Sequence, residues 1–497
     1  MKLSRQLSSS PNSAAAPPQV SVLTPRTETL HETRSLCPDC GTTVPARYEA
    51  REANAAFFAR VCPEHGTQDT DLGPHADFYR WIFEIDGKIK QRYAHHWEGK
   101  DYAPEGSPFP MRQRAGLGII EVTERCNLTC PMCYAGSSPA GRDYTLEEIG
   151  RRMDELLAVE GPYMSIQFSG GEPSVRKDLD QIAKMAKDRP FGHIEMVSNG
   201  IRLAREHDFA QKLVDWGFTS VYLQFDSLRG EDLVTLRGED LLDVRQKATE
   251  NLERAGLPIT LAVSLYEGLN DDQIKGIIDF CYQHPGIKAI NFQAATPFGS
   301  RWAIEDGKRV ERAPKKLRMP EILGLIEQQT GVGRNNFFPL GIGSPLCNAY
   351  CLLLHTSSGY KPAAPNFSSD DYFDVLGEDP LDLIRSLTQG RPAILPKITK
   401  NWKGTLKLVK ALWPHIGSDP MFLLKHQTLT LFVKPFMDAS DVDLERMERC
   451  CFHNASPKGV MSFCALNNYR RAQTPTPESA FIPVRPRTAR ADAAAEA

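Results

Sequence analysis

Twelve cysteines stand in this chain, and eleven of them fall into three groups whose spacing suits metal ligation. Cys126-Asn-Leu-Thr-Cys130-Pro-Met-Cys133 is a CxxxCxxC run; Cys37-Pro-Asp-Cys40 is followed by Cys62-Pro-Glu-His65; and Cys347, Cys351, Cys450, Cys451 and Cys464 lie toward the C-terminus. Cys281, alone in an apolar stretch, reads as a buried and inert thiol. The N-terminus lacks the apolar block of a secretory signal, so metal and iron–sulfur ligation is expected rather than disulfides, with the cytoplasm as the compartment. Three thiolates hold three irons of a [4Fe-4S] cube and leave the fourth open to a reactant, whereas four thiolates make a plain electron carrier. Structural zinc at Cys126, Cys130 and Cys133 would need a fourth ligand that the neighbouring sequence does not offer. Cys37, Cys40, Cys62 and His65 supply a complete tetrahedral set for zinc or iron. The C-terminal group is large enough for one four-cysteine auxiliary cluster with a ligand to spare, and a second would need a residue such as His453. Cys450 and Cys451, being adjacent, are expected to face different ways. His75, His95 and His96 read as solvated histidines.

Such sites need a scaffold. With 497 residues, 41% of them hydrophobic and 24% charged, the chain is long enough for about three globular units. Residues 1–30 and 471–497 are Pro-, Ser- and Ala-rich or charged tails, and residues 31–75 form the small metal module, stabilised by its ion. A linker is expected over 76–115 and the main α/β unit over 116–300. Within that unit, apolar runs at 118–123, 164–169, 193–198, 220–226, 259–266 and 289–293 alternate with helical patterns, the signature of βα units with a parallel sheet. Thr145 with Glu148 reads as a capping box before a helix with Ile149, Met153, Leu156 and Leu157 on one face. Residues 301–470 form a less regular cysteine-rich extension. In it, 401–415 interleaves Lys403, Lys407 and Lys410 with Trp402, Leu406, Val409, Leu412 and Trp413, a face able to touch a bilayer surface or to pack on the main unit. A net charge of -3 argues against a nucleic-acid footprint, and no apolar run is long enough to span a membrane.

The CxxxCxxC run, followed after the next strand by Ser169-Gly170-Gly171-Glu172-Pro173, resembles the radical S-adenosylmethionine (SAM) superfamily. The resemblance implies an α/β fold, a partial (β/α)6 radical SAM barrel with the small N-terminal metal module and the C-terminal extension. It implies that Cys126, Cys130 and Cys133 hold a [4Fe-4S] cluster and that SAM binds its open iron. A reducing electron-donor protein then supplies one electron, and SAM is cleaved to a 5'-deoxyadenosyl radical that abstracts hydrogen from substrate. Gly170 and Gly171 would let bare carbonyls approach the methionine ammonium, with Glu172 beside them. Ser198 and Gln224 stand where relatives contact the SAM carboxylate or ribose, Asp226 is placed to brace them, and Met132 replaces a frequent aromatic residue. The cysteine order from Cys37 to Cys464 further resembles tetraether lipid synthase-like proteins. That likeness implies carbon–carbon coupling of lipid alkyl chains, at least one auxiliary [4Fe-4S] cluster, a mononuclear zinc or iron at the N-terminal module, and peripheral contact with a membrane. The alternatives are radical modification of a peptide or small metabolite, or a non-catalytic metal-binding scaffold.

Overall fold

The computed structural model describes residues 27–96, 111–296, 304–305, 308–309, 316–341, 343–356, 359–365, 367–380, 400–416, 428–456 and 459–470. Nearly all of the N-terminal tail and the whole C-terminal tail expected from the sequence lie outside them. Four strands come first: β1 (Glu28–Leu36), β2 (Thr43–Ala50), β3 (Ala56–Cys62) and β4 (Gly66–Gly73), an antiparallel meander in that order. Alternate residues of β2, Val44, Ala46 and Tyr48, are buried, the period-2 pattern of a sheet with one wet face. The expected linker instead opens with helix α1 (Ala76–Tyr93). Its Phe78, Ile82, Ile85 and Ile89 recur at helical spacing and are all buried, so the stretch has its own core-facing side.

Six parallel strands follow: β5 (Leu117–Thr123), β6 (Ser165–Gly170), β7 (His193–Ser198), β8 (Ser220–Gln224), β9 (Ile259–Leu265) and β10 (Ile287–Ala294). Between them run α2 (Leu146–Glu160), α3 (Leu179–Lys187), α4 (Ile201–Arg205), α5 (Phe209–Trp216), α6 (Gly230–Arg237), α7 (Leu242–Arg254) and α8 (Ile274–Gln283). The start of α2 is a capping box: Thr145 Oγ1 accepts from Glu148 N at 3.1 Å and Glu148 Oε2 accepts from Thr145 N at 2.7 Å. Cys281 is fully buried on α8.

The C-terminal region does more than append. After the short hairpin β11 (Ile304–Glu305) and β12 (Lys308–Arg309) and helix α9 (Met319–Thr330) come β13 (Ala349–Thr356), β14 (Gly359–Pro362) and α10 (Ser369–Leu376). The chain then forms α11 (Trp402–Ile416), β15 (Thr428–Lys434), α12 (Leu444–Glu448), β16 (Phe452–Ser456) and β17 (Gly459–Ser462). Strand β15 adds to β10 and β16 adds to β5, both in parallel, so the parallel run has eight strands in the order β16-β5-β6-β7-β8-β9-β10-β15. Antiparallel β13-β14 and β17 extend its two edges. Those edges meet through side chains: the Lys434 ammonium from β15 lies over the ring of Phe452 at the start of β16, and Phe436 packs on Phe463 with ring centroids 4.8 Å apart. The sheet is therefore curled into a barrel whose seam carries no backbone ladder among the described residues.

One face of this sheet is apolar and lies under the helices, with Ile120, Val122, Ile166, Phe168, Met196, Val221, Leu223, Leu261, Val263 and Phe292 almost fully buried. On α11, Lys407 pairs with Asp371 and Asp374 of α10 at 2.7 Å each, while Trp402, Leu406, Val409 and Trp413 form an exposed stripe. No described helix is long and apolar enough to cross a membrane.

Candidate active site and metal centres

The loop after β5 folds back on itself before it reaches α2. Cys126 N donates to Ser138 O at 3.0 Å, Cys133 N to Cys130 O at 3.2 Å, and Leu128 N to Cys126 Sγ at 3.4 Å. All three thiols line a cavity of about 350 Å³ at the carboxyl ends of the strands, together with Gly170, Gly171, Glu172, Ser198 and Gln224. In an α/β sheet this is the end where loops from successive strands converge on a ligand.

The two glycines are also required by the packing of the turn itself. Gly171 N donates to Thr123 O and Glu172 N to Arg125 O, each at 2.8 Å, so the turn after β6 is zipped against the backbone that launches the cysteine loop. A Cβ on Gly170 would collide with Thr123 O, one on Gly171 with Arg125 O, and Gly170 has φ +114°. Glu172 is likewise committed: Ser174 N and Ser198 Oγ donate to Oε1 at 3.2 and 2.9 Å, and Asn199 N donates to Oε2 at 2.6 Å. Ser198 thus ties β7 to Glu172 and also accepts from Gly200 N at 3.0 Å. Burial raises the Glu172 carboxyl above its ordinary range. Asn199, which the sequence reading passed over, donates to Asn127 Oδ1 at 2.7 Å inside the cysteine loop. With its amide oxygen turned toward Arg237, Gln224 accepts from both terminal guanidinium nitrogens at 2.6 and 2.9 Å. Asp226, fully buried at φ +66°, pairs with the same Arg237 at 2.7 Å. Met132 Sδ accepts from Tyr266 OH at 3.3 Å.

Burial, and for Cys126 also the Glu172 charge, pushes the Cys126 and Cys130 thiols up, so holding thiolates here needs positive charge. Arg237 and Arg245 supply it at Cys130. Arg245 is completely buried, and its Nε and both terminal nitrogens find no hydrogen-bond partner among the described residues. The Asp226 and Glu172 charges already favour that guanidinium, and an anionic group held by the three cysteines would add the nearby acceptor its nitrogens do not have, so the residues present fit a thiolate-bound cluster.

At the other centre the ligand atoms of Cys37, Cys40, Cys62 and His65 all lie within 4.8 Å of one another. Cys37 Sγ is 3.6 Å and Cys62 Sγ 3.4 Å from His65 Nδ1, and Cys40 Sγ is 3.8 Å from Cys62 Sγ. A tetrahedral metal with bonds of about 2.3 Å to sulfur and about 2.0–2.1 Å to nitrogen has ligand-to-ligand edges of roughly 3.5–3.8 Å, so the set fits zinc. Two turns present it: Gly41 N donates to Cys37 O at 2.8 Å in the first, and His65 lies between β3 and β4 in the second.

Of the C-terminal cysteines the structure groups four and separates one. Cys347, Cys450, Cys451 and Cys464 all lie within electrostatic reach of Lys434. Burial, reinforced by neighbouring thiols, pushes Cys450 and Cys464 up to about 12 and Cys451 up to about 11. Cys450 Sγ accepts from Phe452 N at 3.5 Å, whereas Cys451 packs beside Leu340 and Gly343, so the adjacent thiols have different immediate neighbours within the same electrostatic reach. Lys434 Nζ is buried without a hydrogen-bond partner among the described residues, the same unmet cation as Arg245. Cys351, expected among the ligands, sits on β13 in the central apolar core, where burial alone pushes its thiol up to about 12 and no other cysteine contributes. His453 is no spare ligand either: Nδ1 is bonded to Glu160 and Nε2 lies 2.9 Å from Cys450 O, with the ring fully buried.

The cavity has two kinds of wall. Leu117, Ile119, Phe432, Phe436, Phe452 and Phe463, from the strands and loops beside the seam, are apolar. The inward positions of β6 to β10 are instead mostly polar, with Gln167, Ser169, Glu195, Tyr222, Thr260, Ser264, Asn291 and Gln293 interrupted by the apolar Val197, Ala262 and Ala294.

A curled parallel α/β sheet with a cysteine triad at its carboxyl end, preceded by a four-ligand knuckle, is a radical SAM α/β fold with an N-terminal zinc ribbon. Residues 120–281 match the family model of the radical SAM superfamily, and residues 29–71 match that of the HMPTM N-terminal zinc ribbon domain. Among curated proteins, 7,8-dihydro-6-hydroxymethylpterin dimethyltransferase of Methanocaldococcus jannaschii is 28% identical over 488 residues, 89% of this chain and 94% of that one. GTP 3',8-cyclase of Campylobacter curvus is 26% identical over 49% of this chain and 69% of its own length. Among solved structures, Streptococcus suis SuiB bound to precursor peptide SuiA has a TM-score of 0.37 at 13% identity, covering 60% of this chain and 69% of that one. A relative that matches 89% of the chain is thus named for a pterin substrate, whereas the cysteine order had pointed to lipid synthases.

Proposed function

We propose that this protein is a radical SAM enzyme whose substrate is a small polar heterocycle of the reduced-pterin kind, with methylation at an unactivated carbon as its reaction. The observation that carries this reading is the polar lining contributed by β6 to β10. An alkyl chain would leave the Tyr222 hydroxyl hydrogen and Asn291 Oδ1 without partners and the Glu195 carboxylate facing hydrocarbon, whereas a heterocycle brings its own donors and acceptors. Likeness to a pterin dimethyltransferase over 89% of the chain supports the same substrate class.

In this reading Cys126, Cys130 and Cys133 hold the SAM-binding cluster, and Cys347, Cys450, Cys451 and Cys464 an auxiliary one. Bound at the triad, a [4Fe-4S] cluster with SAM supplies a 5'-deoxyadenosyl radical able to take a hydrogen that no acid or base here can remove. The chain's own groups do the rest. Gly170, Gly171 and Glu172 fix the cysteine loop against β6 and β7, Arg237 orients Gln224 at the rim, and the aromatic wall of Phe432, Phe436, Phe452 and Phe463 excludes water. A reductant protein delivers the electron. The test is anaerobic turnover with 7,8-dihydro-6-hydroxymethylpterin deuterated at its carbon positions. Deuterium carried into 5'-deoxyadenosine is the expected result. Deuterium arriving instead from a labelled alkyl lipid, with none from the pterin, would return the assignment to lipid coupling.

A further inference from the structure

The cavity floor holds an array of hydrogen-bonding groups that the chain does not close on itself. Tyr222 on β8 accepts on its phenol oxygen from Asn291 Nδ2 at 2.8 Å and from Gln293 Nε2, both on β10. The ring reaches across β9 because the intervening inward residues there, Thr260 and Ala262, are small. Two amide donors leave the phenol hydrogen to be given away, and no acceptor for it occurs among the described residues. Asn291 Oδ1 is likewise buried without a donor. Burial and the nearby Glu195 charge raise the phenol well above its usual range, which keeps the hydrogen in place.

Glu195 on β7 is the matching acceptor. It is 8% exposed, and it accepts from Gln167 Nε2 at 2.6 Å on one oxygen and from Ser220 Oγ at 2.9 Å on the other. Each oxygen keeps a free lone-pair direction, and no ion pair among the described residues neutralises the carboxylate. Two residues along a strand are about 6.6 Å, so Tyr222 lies one such step below Gln224 and the rim that carries the cysteines. That depth suits a ring held by one edge with its carbons toward the rim.

We infer that Tyr222 and Glu195, aimed by Asn291, Gln293 and Gln167, are the specificity-determining pair of this cavity. They would take the edge of a planar heterocycle that presents ring N–H or amino donors beside a carbonyl or ring-nitrogen acceptor, as the 2-amino-4-oxo edge of a pterin does. This assignment rests on the small-heterocycle reading above and adds to it the residues that read the substrate. Sites built to pair a polar group reject ligands that lack it far more strongly than apolar pockets reject a missing methylene.

The test uses the full chain, reconstituted anaerobically, with 7,8-dihydro-6-hydroxymethylpterin as the probe. Tyr222→Phe is expected to raise Kd about tenfold and Glu195→Gln about tenfold or more. Both variants should keep the parent's iron content and melting temperature, readouts that a folding defect would move. Asn291→Ala frees the phenol from one of its guides and should weaken the pterin less than Tyr222→Phe does. If the parent binds the pterin and both variants bind it equally well, the residue assignment is overturned while the substrate reading stands. If the parent cleaves SAM but does not bind the pterin, the substrate reading falls and takes this assignment with it.

Discussion

Arg245 and Lys434 share an unusual predicament: each is a buried cation whose nitrogens find no hydrogen-bond partner among the described residues, and each stands beside a group of cysteines. Arg245 feels the Asp226 and Glu172 charges and Lys434 lies against the rings of Phe436 and Phe452, yet neither has a hydrogen-bonded counter-ion among the described residues, so an anion at each place would stabilise the fold. Burial already draws the Lys434 ammonium down to about 8, and the four thiols around it oppose that shift once they carry charge. Replacing Lys434 by Met keeps the bulk and removes the charge. The expected outcome is an auxiliary cluster that still assembles but accepts an electron less readily, with its reduction potential moved to more negative values in an EPR-monitored titration. An unchanged potential would mean that the cation serves something else. At the other centre, Cys130→Ala should abolish 5'-deoxyadenosine formation, and normal SAM cleavage by that variant would end the assignment of the triad. Gly171→Ala should act through the backbone, because its methyl has nowhere to go but into Arg125 O. We expect a loss of about 3 kcal/mol or more in unfolding free energy, together with loss of the triad's iron. The cysteines and glycines of these sites were legible in the sequence, since their types and spacing carry the chemistry. Arg237, Arg245 and Lys434 were not, because a lone basic residue in a helix or strand reads as solvated until its burial is known.

The elements show why some of the fold was readable and some was not. Strands β5 to β10 announced themselves as apolar runs between helical patterns, and Thr145 with Glu148 marked the start of α2. Hidden in the same runs was a second message: Ser-Ile-Gln-Phe-Ser, Ser-Val-Tyr-Leu-Gln and the first four residues of His-Ile-Glu-Met-Val-Ser alternate polar with apolar, where a strand buried on both faces would be apolar throughout. That alternation is the cavity floor. Strands β15 and β16 escaped notice because they pair with β10 and β5 across long stretches of chain, and Phe-His-Asn-Ala-Ser carries little strand signal by itself. The ribbon also does something that its own sequence does not disclose, for it docks on the segment leading to Cys450. Thr33 Oγ1 and Tyr48 OH donate to Asp443 at 2.8 and 3.0 Å, Thr70 Oγ1 to Ser440 O at 2.6 Å, and His31 Nε2 lies 2.8 Å from Glu445 Oε2. A ribbon held together by its ion therefore anchors α12 and the cysteines beyond it. Stripping that metal with a chelator, or changing His65 to Ala, should speed amide exchange across residues 438–448 while leaving the strands from 117 to 294 protected. Equal protection of 438–448 with and without the metal would show that the ribbon is a passenger.

At the scale of the molecule, the feature to explain is a curled sheet of eight parallel strands whose ends, β15 and β16, meet without hydrogen bonds between them. Closure rests on Lys434 over Phe452, on Phe436 against Phe463, and on whatever the four grouped cysteines hold. Those cysteines come from three separate places: Cys347 just before β13, Cys450 and Cys451 just before β16, and Cys464 just after β17. Both edges of the sheet therefore reach the same point, and a metal cluster there would cross-link them where the backbone does not. Cys351, on β13 but turned into the core, supplies the control. Changing Cys464 to Ser is expected to remove about four irons per chain from the anaerobically reconstituted protein and to lower its melting temperature, because the seam loses its staple. Changing Cys351 to Ser should leave the iron count where it was. The triad lies on the loop after β5, outside the seam, so substrate-free 5'-deoxyadenosine release should survive in both variants. A Cys464→Ser protein that kept its full iron and melted with the parent would mean that side-chain packing alone closes the barrel, and that the four thiols are neighbours without a common ligand.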